Sequence, residues 1–177
     1  MQIIITILLI LGSIIVLLLL IALFIKRDFR VERIININKS KQEVFEYLKL
    51  LKNQEQYSVW VMKDPNVKLV YTGTDGTVGA TSSWESDDKH VGVGEQEIIK
   101  MNEGESMEVE IRFKKPFEDT NYAISSVSAI SDNETKVSNV FYGNNKFPKN
   151  LMNLMMDKMI GKFMYQNLVN MKANLEK

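Results

Sequence analysis

Few side chains in this 177-residue chain have the chemistry to make or break a covalent bond. There is no cysteine and only one histidine, which removes disulfides, thiolate metal sites, a cysteine nucleophile and any multi-histidine metal centre together. His90, in "DDKHVGVG" beside Asp87 and Asp88, is the one imidazole that could act as a general base near neutral pH. No nucleophile stands near it, and its turn-like surroundings read as a solvated loop. Glu95 and Glu97 alternate with Gln96 and so share one face of a strand. On a pocket wall one of them would be a desolvated carboxylate with a raised pKa. The pattern favours the wet side, with Glu108 and Glu110. No catalytic residue, metal or cofactor is expected.

The larger signal is apolar. The segment "LMNLMMDKMIGKFM", Leu151 to Met164, holds five of the chain's ten methionines. Methionine is unbranched and polarizable and adapts to irregular shapes, so the stripe fits a cavity wall and an ordinary core equally well. Trp60 and Trp84 offer large rings with a polar handle, suited to a cavity mouth or to structural packing. The glycines of "GVGATSS" and "GVGEQ" precede no helix N-terminus that would receive a phosphate. They read instead as bending points in a sheet.

Elements must carry these groups, and the first of them is an anchor. From Ile3 to Ile25 the chain runs 23 residues without a charge, enough as a helix to cover the roughly 30 Å hydrocarbon core of a bilayer. A cleaved secretory signal would show a basic n-region, a shorter apolar core and a small-residue cleavage site. Only Met1 and Gln2 precede the run, and "ALFIKRDF" has no Ala-x-Ala pattern. The reading is a retained membrane span with its basic flank over residues 1–28, ahead of one domain over residues 29–177. Lys26, Arg27, Arg30 and Arg33 all follow the span, which places the C-terminal domain of a single-pass protein on the cytoplasmic side. The 22 basic and 22 acidic residues balance, so nothing steers the chain towards nucleic acid.

"FRVERIININ" reads as a strand with Val31, Arg33, Ile35 and Ile37 on one face. Ser40 and Glu43 form a capping box for a helix that turns Val44, Phe45, Leu48 and Leu51 inward. A link containing Trp60 and the turn Asp64-Pro65-Asn66 follows. Strand signals then recur to about Gly143, clearest in "SMEVEIRFK", where Met107, Val109, Ile111 and Phe113 alternate with charges. Pro148 opens a last helix reaching towards Lys177. Leu151, Met152, Met155, Met156, Met159 and Phe163 share one broad face, and past Gly161, a candidate kink, the apolar set rotates to Met164, Leu168, Met171 and Leu175.

This order resembles the helix-grip fold of the START-like or SRPBCC superfamily, which includes polyketide cyclases and lipid-transfer domains. "RIININKSKQEVFEYLKLLKN", "GTVGATSSWES", "VGVGEQEII" and "NKFPKNLMNLMMDKMIGKFMYQNLVNMKANLEK" are similar to its opening strand and helix, its paired glycine strands and its closing helix. At "VFYGN" this chain departs from membrane-anchored relatives that carry a tryptophan before the glycine; Tyr142 or Phe141 would fill that space. The resemblance implies an α+β domain in which a curved antiparallel sheet of about seven strands wraps a long C-terminal helix around an apolar cavity. The cavity candidates are Trp60, Trp84, Tyr142, Met152, Met155, Met156, Met159 and Phe163. Binding of a hydrophobic small molecule, lipid-like or isoprenoid-like, is the expected function. An enzyme resembling polyketide cyclases, or a ligand-free domain that recruits a protein, are the alternatives.

Overall fold

A computed structural model describes all residues from Met1 to Lys177. Helix α1 (Gln2–Phe24) is the uninterrupted apolar run, with Ala22 as its one buried residue. It is long and apolar enough to cross a membrane, a test that a signal sequence near an N-terminus also passes.

Seven strands follow in a single antiparallel sheet. They are β1 (Asp28–Ile37), β2 (Lys68–Thr72), β3 (Thr81–Glu85), β4 (Val93–Asn102), β5 (Ser106–Lys115), β6 (Asp119–Ser131) and β7 (Glu134–Asn144), ordered β1-β7-β6-β5-β4-β3-β2. Every neighbour but β1 and β7 is joined by its own hairpin or short link, the local pairing that the regular spacing of strand signals implies. β1 closes the far side by pairing with β7 from Asp28↔Asn144 to Ile37↔Thr135.

Between β1 and β2 lie α2 (Lys41–Leu48), a 3-10 turn (Leu51–Asn53) and one turn of helix, α3 (Gln54–Tyr57). The capping box of α2 is formed: Ser40 Oγ accepts from Glu43 N–H, and the Glu43 carboxylate accepts from Ser40 N–H. Val44, Phe45, Leu48 and Leu51 are all buried, as their spacing requires. A second 3-10 turn (Lys149–Met152) leads into α4 (Asn153–Leu175), the long closing helix. The helix-grip arrangement is thus present, with the expected strand count.

The interior falls into two apolar clusters. The larger gathers α2, α3, the middle of the sheet and the C-terminal half of α4, including Phe45, Leu48, Ile98, Val109, Val137, Leu168 and Met171. The smaller holds Phe29, Val31, Met156 and Met164 at the other end of α4, with Trp60, Phe141 and Ile160 packed against it.

α4 leans on β1 more than on any other strand, and Gly161 marks the closest approach. A β-carbon there would fall 1.8 Å from Arg33 Nη2 and 2.4 Å from its Cζ. Gly161 therefore serves as space for a guanidinium inside a helix that runs from Asn153 to Leu175. Arg33 lies on the inward face of β1 and donates to Asp157 Oδ1 at 2.8 Å and to Glu32 O at 2.7 Å.

Candidate functional site

Strand parity and register decide which side chains face α4. Val31 opposes Phe141, Phe141 opposes Ala123, and Ala123 opposes Val109. The concave face accordingly carries Phe141, Ala123, Ile111, Phe113 and Trp84, all partly exposed. Ile111 and Ala123 border the larger cluster and Phe141 the smaller, so a row of partly exposed apolar side chains runs between the two packed ends. Trp84 lies edge-on to Phe113, with ring centroids 6.0 Å apart, and its indole N–H donates to Val91 O at 3.2 Å. Gly94 opposes Trp84, and a β-carbon at that glycine would stand 2.5 Å from the indole ring. The glycine makes room for the tryptophan to lie across the sheet.

Polar groups on this face are few. Gln96 is buried and exchanges hydrogen bonds with Gln54, the shorter at 2.7 Å. Asn139 stands between Arg33 of β1 and Ser125 of β6, and its side-chain oxygen is buried without a hydrogen-bond partner. A buried acceptor left unpaired is costly, and this one can take a hydrogen bond from a hydroxyl or an amide. Arg33 is committed to Asp157 and to Glu32 O.

The glutamates of β4 and β5 turn outward. Glu95, Glu97 and Glu110 surround Arg112 on the convex face at 2.8, 2.9 and 2.5 Å, with Lys114 on Glu95 at 3.1 Å. Hydrogen bonds from Arg112, then Lys114, hold the Glu95 carboxyl below its ordinary value of 4.5. Glu176, bonded by Asn38 N–H and Lys172, is held low in the same way. The folded pKa of each is depressed, so each stabilises the fold above the unfolded value and that stabilisation is lost as pH falls through the folded one. Chemical denaturation should give constant stability from neutral pH to about 5 and a decline below it, with Glu95→Gln making the decline shallower; an unchanged slope would show that the Arg112 cluster does not contribute.

His90 is on a surface loop, its side chain 80% exposed and its Nδ1 3.0 Å from Asp88 Oδ1. Nearby, Lys63, Asp64, Glu85 and Asp88 line a polar groove of about 220 Å3. This is the solvated loop the sequence suggests.

Of the aromatic candidates, Trp84 lies on the concave face of the sheet. Trp60 meets Phe163 with centroids 5.9 Å apart, at the smaller cluster. Tyr142 does not face inward. It lies on the convex face, stacked on Tyr122 at 5.4 Å and donating to Glu108; burial, then that hydrogen bond to Glu108, pushes its hydroxyl up to about 12. The pairing of Phe141 with inward-facing Val31 places Phe141 inward in its stead. The methionine face is likewise corrected: Met156 is buried, whereas Met152, Met155, Met159 and Phe163 are between 44% and 56% exposed. The sheet instead meets Met156, Gly161, Met164, Leu168 and Met171, a set spaced by three to five residues along α4. Asn139, Arg33, Ile111, Phe113 and Ala123 were not among the expected site residues. Arg33 and the strand face of Ile111 and Phe113 were nonetheless readable from alternation.

The sequence matches no family model and no curated protein. Solved structures do match. Truncated norcoclaurine synthase from Thalictrum flavum aligns with a TM-score of 0.64 at 11% identity, over 85% of this chain and 95% of that one. The di-domain aromatase/cyclase StfQ of the steffimycin pathway aligns with a TM-score of 0.61 at 9% identity, over 84% of this chain and 51% of its own. Aha1 from Colwellia psychrerythraea, solved as a dimer, aligns with a TM-score of 0.55 at 15% identity, over 83% and 96%. These are Bet v 1-like, SRPBCC-type folds, and at such identities the likeness shows the fold. The chain is a helix-grip domain preceded by an apolar helix.

Proposed function

We propose that this chain is a membrane-anchored domain, residues 29–177 on an anchor in residues 1–28, which binds a hydrophobic small molecule in the cleft between the concave face of the sheet and α4. The observation that carries this reading is the divided interior: two packed apolar clusters with Trp84, Ile111, Phe113, Ala123 and Phe141 partly exposed between or beside them. Sites for small apolar ligands are concave and mostly apolar, with a few polar groups that fix orientation, and here Asn139 and Gln96 supply those groups. A protein of the same fold, norcoclaurine synthase, is known in complex with the small molecules dopamine and hydroxybenzaldehyde. The glutamates of β4 and β5 that could serve as acids or bases point away from the cleft, which favours binding over catalysis.

Trp60 and Phe163 would border the cleft at the α4 side and Met156 its floor, while Met152, Met155 and Met159 lie outside it. The basic flank after α1 supports a cytoplasmic position for the domain; protease added to intact cells should spare it, and digestion there would reverse the topology. Native mass spectrometry of the full chain released from detergent should show an adduct of lipid-like mass. A spectrum of bare protein under gentle activation, repeated after incubation with a lipid extract, would count against the binding reading.

A further inference from the structure

Two exposed apolar surfaces meet where α1 joins the domain. Asn150 is 2% exposed, and its amide donates to the carbonyls of Ala22 at 2.6 Å and Ile25 at 2.9 Å. The Asn153 amide donates to the carbonyls of Lys26 and Arg27, each at 2.9 Å. Asn145 adds its own N–H to Arg27 O at 2.9 Å and its side chain to Asn153 Oδ1 at 2.7 Å. The end of α1 is therefore clamped to the start of α4. Ala22 lies about one helical turn, ~5 Å, inside the apolar run that ends at Ile25, so Asn150 and the residues after it are held at the level where that run ends.

Around the clamp the surface is apolar and uncovered. Leu154 is 69% exposed, and Phe147, Met152 and Met155 are about half exposed. Along this segment stand Lys146, Lys149, Lys158 and Lys162, all exposed, against Asp157, which is already paired with Arg33, and beside the clamp Asp28, which accepts from the Asn144 amide at 2.6 Å. Apolar side chains rimmed by lysine are the composition of a helix lying in a membrane interface, and the cationic rim favours anionic lipid.

Resting on the anchor proposed above, the geometry points to Phe147, Met152, Leu154 and Met155 as a second membrane contact. They seat in the headgroup and upper acyl layer of an anionic phospholipid bilayer, in the leaflet where α1 ends. The domain is then held against the membrane by two surfaces and does not swing on a tether. It also brings the end of α4 that borders the cleft against the lipid from which a hydrophobic ligand would be drawn.

Because the full chain has no cysteine, one environment-sensitive fluorophore can be placed at Ile14→Cys, Leu154→Cys, Met155→Cys or Val70→Cys. Val70 is exposed on β2, the opposite edge of the sheet from β1. Each labelled chain is reconstituted in phosphatidylcholine–phosphatidylglycerol vesicles with and without doxyl groups on the upper acyl carbons. The proposal expects lipid-borne quenching at positions 154 and 155 and none at position 70, with position 14 emitting from an apolar, water-free environment. If position 14 shows that environment but 154 and 155 are not quenched, the docking is overturned and the anchor stands. A blue shift at 154 and 155 without quenching also overturns the docking, and points to a protein, such as a second copy, on that face. If position 14 is exposed to water, the anchor fails and the docking with it.

Discussion

Truncating Met171 to alanine is expected to cost about 2–5 kcal/mol of folding stability, whereas the same truncation at Met155 should change it by no more than about 0.5 kcal/mol. Both are methionines of α4, sixteen residues apart, and composition does not distinguish them. Met171 is 1% exposed in the larger cluster, beside Leu168 and Val137, so its loss leaves a void that the packed neighbours fill only in part. Met155 is exposed on the opposite side of the helix and leaves none. Denaturant titration of the two variants beside the parent, in one detergent, separates them. Equal losses would mean that α4 is rotated from the face described, and the cleft would have to be redrawn.

The second large effect concerns Gly161. Gly161→Ala should destabilise the chain by about 1–2 kcal/mol, because an overpacking cost of up to ~3 kcal/mol outweighs the ~1 kcal/mol that alanine gains over glycine in a helix. The β-carbon would displace the Arg33 guanidinium, which is bonded to Asp157 and to Glu32 O. In an Arg33→Ala background the obstacle is gone. There the same Gly161→Ala substitution should stabilise by about 1 kcal/mol, the helix preference alone. A loss of equal size in both backgrounds would show that the glycine answers to something other than the guanidinium.

Much of the fold was legible because local rules and burial agreed. The capping box at Ser40 and Glu43, the alternation in "SMEVEIRFK" and the turn residues between strands each specify one outcome, and the structure has it. The site was less legible, for identifiable reasons. Between Leu151 and Met164 nine of fourteen residues are apolar, so hydrophobicity covers nearly the whole circumference of the helix and cannot choose a face. The choice is made by Arg33, which needs a glycine above it and an aspartate beside it. Phe141 and Tyr142 are adjacent aromatics, so alternation alone assigns neither inward; the pairing of Val31 with Phe141 does. The asparagines that clamp α1 and those of α4 that hold the Trp60 link, such as Asn167 bonded to Val59 N–H at 2.8 Å, act on backbone groups distant in sequence. Such bonds leave no period to read.

The central claim is that the space between the sheet and α4 takes up a hydrophobic molecule. It is tested most directly on a chain beginning at Lys26, which keeps every residue of both apolar clusters and gives up only the Ala22 and Ile25 carbonyls that Asn150 bonds, titrated without detergent against a hydrophobic fluorophore, once each protein has been shown to melt cooperatively. Saturable uptake of one molecule per chain is expected, abolished by Ala123→Trp, which fills the cleft, and unaffected by Met155→Ala, which lies outside it. No saturable uptake by the parent chain, or uptake that survives Ala123→Trp and is lost with Met155→Ala, would contradict the account.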